Sequence, residues 1–189
     1  MPQAPKASLL LMGDYRSMGL LANHMSRAQT TIYARPQQLL PYERSDLEAM
    51  FLPVKQMLQL ERVTEINDTG LVCEMDISGH WVFPIHFPSD PIFPGTLLIE
   101  AAGQAIAVWA WNAGFRGRPR LGKVEAKFLA PVLPQHRTVT LVATVRNRKC
   151  VFAGVVDVFV LEQKVAEIKP VVFVIPDPIL AQNRLAAND

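Results

Sequence analysis

Between His86 and Gln104 the chain reads HFPSDPIFPGTLLIEAAGQ, which sets a histidine, a carboxyl and a carboxamide among apolar residues. A histidine can take a proton while a carboxyl gives one, the pair of roles that proton-transfer chemistry requires. Taken singly, a histidine is most often an exposed or satisfied side chain, and a glutamate most often faces water. What raises His86 and Glu100 above that background is their shared context. Pro88, Pro91 and Pro94 each fix φ and remove a backbone donor, so the loop after His86 is stiff. At Gly95 the loop gives way to an apolar helix that carries Glu100 in its second turn. Gln104 follows four residues later and so shares a helix face with Glu100. The 14 residues between His86 and Glu100 permit a meeting within one chain or between two copies.

The elements that must hold these residues can be read on either side. The helix, expected over about 96–114, is apolar on nearly every face (Leu97, Leu98, Ile99, Ala101, Ala102, Ile106, Val108, Trp109, Trp111), the mark of a buried helix. Its apolar stretch, 97–113, would be about 26 Å long and contains Glu100 and Gln104. A membrane span needs about twenty apolar residues and tolerates such groups poorly, so a core helix is expected. Residues 71–77 alternate apolar and polar, as a half-buried strand does. Segments 124–134, 138–147, 150–162 and 164–175 are rich in Val, Phe and Thr and read as strands. Short connections at 147–149 and 162–164 suit hairpins. Pro170 points to an outer strand or a bulge, and the Gly-, Pro- and Arg-rich stretch 115–123 reads as a loop. His80, after Gly79, lacks the proline-rich sequel of His86 and ranks below it.

Half of the 189 residues are apolar, enough for one domain with a substantial core. The net charge of +2 selects no partner class, yet the charge is unevenly spread. Residues 116–149 hold nine basic side chains and one acidic one, Glu125. Such a basic stretch can steer an acidic partner towards a site. Cys73 and Cys150 fall in expected strands without metal-ligand spacing, consistent with free thiols in a reducing cytosol. The short apolar run at 9–12, closely followed by Asp14, makes no convincing signal peptide. A cytoplasmic location is therefore expected, with no membrane span and no nucleic-acid partner. Residues 1–50 read as an extension of unknown role, with short helices near 9–25 and 45–51. Residues 51–176 form the main domain and 177–189 a tail.

The order His86-Phe87-Pro88, Asp90-Pro91, Pro94-Gly95, Glu100, Gln104 resembles the signature of the 3-hydroxyacyl-(acyl carrier protein) dehydratases of the FabA/FabZ type. Their fold is the hotdog, an α+β fold in which a curved antiparallel sheet wraps a long central helix. The resemblance extends from about Leu52, where LPVKQMLQLERVTEIN looks like the family's opening helical turn and first strand. Ser89 stands where the family usually has glycine; were φ positive there, serine would cost about 1 kcal/mol. The resemblance implies a hydro-lyase that converts a 3-hydroxyacyl thioester to the trans-2-enoyl thioester in fatty-acid or related lipid or polyketide synthesis. It implies His86 as the base at C2 and Glu100 as the acid to the departing hydroxyl. The Gly95 N–H would hold the thioester oxygen, and Gln104 would orient Glu100 or else bond a neighbouring strand. No metal or organic cofactor is called for. The implied partners are an acyl carrier protein and a second copy of the chain, His86 of one copy facing Glu100 of the other. A hotdog thioesterase and a non-catalytic hotdog subunit that binds acyl chains or an active partner remain open as alternatives.

Overall fold

The computed structural model describes residues 41–50 and 52–176. Within them the alternation of inward apolar and outward polar residues builds one seven-stranded antiparallel sheet. The strands are β1 (Tyr42–Glu43), β2 (Arg62–Ile66), β3 (Gly70–Asp76), β4 (Gly117–Phe128), β5 (Thr138–Arg148), β6 (Val151–Val160) and β7 (Gln163–Pro176). Their order across the sheet is β1-β2-β3-β5-β6-β7-β4, which leaves β1 and β4 on the outside. A short helix, α1 (Arg44–Glu48), follows β1, and the long helix α2 (Gly95–Asn112) packs against β3, β4, β5, β6 and β7.

The core lies between α2 and the inward side chains of the sheet. In β5, Val139, Leu141, Ala143 and Val145 are buried, while Val142, Thr144 and Arg146 between them are exposed. On α2, Ala101, Ala102, Ala105 and Ala110 are buried and small, which allows sheet and helix to approach closely. One contact is closer still. A Cβ at Gly154 of β6 would lie 2.3 Å from Cδ1 of Ile106, so glycine there makes room for the helix. The helix stops where Gly114 takes φ 94°, and the Phe115 N–H returns to the Ala110 carbonyl, satisfying an end-of-helix acceptor.

Three expectations are corrected. The stretch 115–123 is not a loop, because Gly117–Lys123 forms the first half of β4. Its pairing with β7 runs from Gly117↔Pro176 to Phe128↔Ala166 and overrides the local composition. An outer strand tolerates Pro119 because one side of it has no ladder to complete. Gly122 sits at the register shift between Leu121 and Lys123. Pro170 is not on an outer strand, since β7 runs between β6 and β4; the β6–β7 pairing instead passes over Lys169 and Pro170. Cys150 lies in the turn after β5 rather than in a strand, and both cysteines are free.

Residues 41–50, read as part of an extension, contribute β1 and α1. Tyr42 pairs with Val63, and its hydroxyl donates to Asn112 Oδ1 at 2.8 Å. The Asp46 carboxylate accepts the Glu43 N–H at 2.9 Å, which starts α1. The helix expected near 9–25 and the tail 177–189 lie outside the described residues. Among the described residues, no helix is long and apolar enough to cross a membrane.

Candidate active site

His86 is held by its own loop. Its backbone N–H donates to the Val82 carbonyl at 2.9 Å, and its carbonyl accepts the Ile92 N–H at 2.9 Å. The ring Nδ1 lies 3.0 Å from the Ile92 carbonyl oxygen. A carbonyl only accepts, so Nδ1 carries the proton and the lone pair of the neutral ring is on Nε2. That is the tautomer a general base needs. The ring stacks on Phe87 at 4.3 Å, and Phe87 is exposed. The His86–Phe87 peptide is cis, and Ser89 is not among the residues with positive φ. Serine in place of the family's glycine therefore carries no left-handed backbone penalty here.

The loop then delivers the chain to the helix start. The Phe93 N–H bonds the Val132 carbonyl at 2.8 Å, which ties the loop to the segment after β4. Beside this tie is a cavity of about 540 Å³, lined among others by Ile92, Phe93, Gly95, Leu98, Phe128 and Val132. A side chain at Gly95 would begin 2.6 Å from the Phe128 ring, so glycine lets the ring lie over the first turn of α2. The first N–H groups of a helix have no partner within it and carry its positive end. Gly95 is the first residue of α2 and lines the cavity, so its N–H belongs to this positive end.

Glu100 sits elsewhere. It lines a smaller cavity of about 150 Å³ with Leu52, Gly103, Gln104, Arg120 and Leu121. Its Oε1 accepts from Gln104 Nε2 at 2.8 Å. The same Nε2 donates to the Met57 carbonyl at 2.6 Å, and Gln104 Oε1 accepts the Gln59 N–H at 2.9 Å. Gln104 thus bonds the Glu100 carboxyl and, where a neighbouring strand was the expected alternative, the non-strand segment 57–59. Among the described residues, no hydrogen bond or ion pair joins His86 to Glu100. Within one copy of the chain the two side chains line different places.

Residues 52–169 match the model of the FabA-like domain, more than half of the chain. The chain belongs to the FabA-like domain family. Its fold is that of the hotdog proteins: seven antiparallel strands curved about one main helix. A dehydratase heterocomplex, ApeI:P of Xenorhabdus doucetiae, superposes with TM-score 0.60 at 18% identity, over 77% of this chain and 97% of that one. A protein of Helicobacter felis homologous to HP0420 gives 0.51 at 14%, over 68% and 99%. A Staphylococcus aureus thioesterase, SAV0944, gives 0.50 at 16%, over 60% and 92%. At such identities these structures share the fold.

Several FabA-like residues read differently in place than in sequence. His80 packs edge-on to Phe93 at 5.0 Å and accepts the Val82 N–H on Nδ1 at 3.3 Å; burial holds its pKa below the usual 6.5. Arg116, counted in the basic stretch, is buried against the Trp111 ring, 4.1 Å from its centroid, and donates to the Trp111 carbonyl. Lys123 pairs with Glu125 at 2.8 Å. Arg118, Arg120, Lys127, Arg137, Arg146, Arg148 and Lys149 are exposed. The sequence reading missed Met57 and Gln59. They reach the site across separations of 47 and 45 residues, and Met57 acts only through a backbone carbonyl, so no side-chain pattern announces it.

Proposed function

We propose that this FabA-like chain is a hydro-lyase that dehydrates a 3-hydroxyacyl thioester to the trans-2-enoyl thioester. The observation that carries the reading is the 3.0 Å contact of His86 Nδ1 with the Ile92 carbonyl, which leaves the ring lone pair to Nε2, on a loop whose Ile92 and Phe93 line the Gly95 cavity. In the reaction His86 Nε2 takes the C2 proton of the substrate. The electron pair moves towards the thioester carbonyl, whose oxygen meets the Gly95 N–H at the positive end of α2. The C3–O bond then breaks, and Glu100 gives its proton to the leaving hydroxyl, which departs as water. Gln104 holds Glu100 in place for that transfer.

The two halves would be joined by a second copy. β4 is an outer strand, with Leu121 exposed beside the Glu100 cavity and Phe128 exposed beside the Gly95 cavity. Two β4 strands paired antiparallel about a twofold axis would lay the Leu121 end of one against the Phe128 end of the other. Glu100 of each copy would then face the His86 half of its partner. Trp81, Ile85 and Phe87, exposed within five residues of His86, and Leu129, exposed at the Gly95 cavity, are the apolar surface such a partner would cover. The exposed arginines and lysines of 118–149 suit an acidic acyl carrier protein that brings the thioester. Neither a metal nor an organic cofactor has a step to perform.

The test is turnover of short 3-hydroxyacyl and enoyl thioesters on carrier protein, beside His86→Ala and Glu100→Gln. Dehydration by the wild type, with a loss of about 10²-fold or more in each folded variant, is the expected result. Thioester hydrolysis in its place would make the chain a thioesterase. No turnover from a folded protein at several chain lengths would point to a non-catalytic subunit.

A further inference from the structure

Met57 and Gln59, which hold Gln104, belong to a segment that is itself held from outside the family's span. Arg44, on α1 and eight residues upstream of the matched range, reaches this segment with both terminal guanidinium nitrogens. Nη2 donates to the carbonyls of Lys55 at 2.8 Å and Leu58 at 3.1 Å. Nη1 donates to the Leu60 carbonyl at 3.4 Å and lies 3.3 Å from Glu61 Oε2. Nε lies 3.7 Å from Glu48, on the last turn of the same helix. The planar guanidinium thus spans three backbone carbonyls of one short loop. Lys55 takes φ 58° and Met57 N–H closes back on the Val54 carbonyl, so the loop is a tight turn. On its other side the loop presents the Met57 carbonyl and the Gln59 N–H to Gln104, and Gln104 presents Nε2 to Glu100.

We infer that Arg44 is a positioning residue for Glu100, acting through the loop 55–60 and Gln104. The inference rests on the reading of Glu100 as the acid, yet the clasp itself is a matter of geometry. Carbonyls at fixed spacing need a rigid fork of donors, which lysine does not supply. Without Arg44 the Lys55, Leu58 and Leu60 carbonyls each lose a donor, and among the described residues the Lys55 carbonyl keeps only the Leu58 N–H at 3.2 Å. The Met57 carbonyl and the Gln59 N–H then cease to be fixed, and the Gln104 amide with them. The segment before the family domain would in this way set how the acid is presented. Loss of such placement removes rate without weakening substrate binding, because the thioester is gripped at Gly95 and in the larger cavity.

The test compares Arg44→Met and Arg44→Lys in the full chain, with Arg62→Gln as a control. Arg62 pairs with Glu74 at 2.7 Å on the exposed face and touches neither the loop nor Gln104. The first readout is the side-chain amide of Gln104 in ¹⁵N–¹H spectra. In the wild type its Nε2 protons are held by two acceptors and should exchange slowly. Arg44→Met should speed that exchange about tenfold or more and move both resonances, Arg44→Lys should fall between, and Arg62→Gln should leave them unchanged. The second readout is kcat, expected to fall about tenfold or more in Arg44→Met with KM nearly constant. An unchanged Gln104 amide in folded Arg44→Met or Arg44→Lys overturns the inference, whatever the activity. An inactive wild type in which the amide still responds would leave the clasp standing and remove only the dehydratase reading.

Discussion

The two halves of the candidate site are supported in opposite ways. His86 is oriented by residues within six positions of it: Val82 takes its N–H and Ile92 takes its Nδ1 proton. Glu100 is oriented through Gln104 by a loop more than forty residues away, which is in turn held by Arg44. The His86 half is surrounded by exposed apolar side chains, whereas the supporter of the Glu100 half, Gln104, is buried at 3% exposure. A side chain presented on a loop can be held by local sequence alone. One presented from the second turn of a core helix borrows its partners from the rest of the fold. The second half should therefore be part of what keeps the chain folded, and the first should not.

That contrast can be broken by mutation. Gln104→Ala strips partners from the Met57 carbonyl and the Gln59 N–H and should cost about 2–3 kcal/mol of unfolding free energy. His86→Ala removes one partly exposed hydrogen bond and should cost less than about 1 kcal/mol. Urea unfolding of the two variants measures both, and equal costs would end the distinction.

Acid should reach the His86 side first. Burial against Phe83 and Phe93 holds His80 below 6.5, so the folded state favours its neutral form. Its contribution is complete above the unfolded value of 6.5 and is lost as pH falls through the lower folded value. Protonation would also remove Nδ1 as the acceptor of the Val82 N–H, whose residue carries the His86 backbone bond. The wild type should lose stability between about pH 7.5 and pH 5.5, and His80→Phe should lose less over that interval. Urea midpoints at the two pH values decide it.

A smaller effect is expected from the ion pairs of β7. Lys169 at 2.9 Å and Lys164 at 3.0 Å draw the Glu167 carboxyl down to about 2. Its stabilising contribution is present above the unfolded value of 4.5 and fades as pH falls towards 2. Glu167→Gln should lower the urea midpoint slightly at neutral pH, as exposed ion pairs do, and the difference should shrink steadily as pH falls from 4.5 through about 2. A large effect would mean that these pairs carry more of the fold than the core does.

The same contrast explains what could be read from the sequence. The proline-rich run after His86 and the apolar helix with Glu100 and Gln104 are local patterns; β3 follows from its alternation, and the last three strands from their Val, Phe and Thr content. Gly117–Lys123 was misread because Gly, Pro and Arg argue for a loop locally, while pairing with β7 decides the outcome. At Pro170, where the sequence allows an outer strand or a bulge, the ladder is interrupted within the sheet rather than ended at its edge. The 55–60 loop and Arg44 act through backbone carbonyls, which every residue type possesses. Nothing in the side chains of Lys55 or Leu58 marks them as acceptors.

The claim that each site is shared between two copies can be tested most directly by mixing inactive chains. His86→Ala and Glu100→Gln protein, unfolded together and refolded at equal amounts, would form mixed dimers alongside the parental ones. If His86 of one copy works with Glu100 of its partner, each mixed dimer contains one site with both wild-type residues. Dehydration should then return to about a quarter of the wild-type rate, since half of the dimers are mixed and each has one working site of two. If both residues act within one chain, every site in the mixture lacks one of them, and activity would stay at the level of the separate variants.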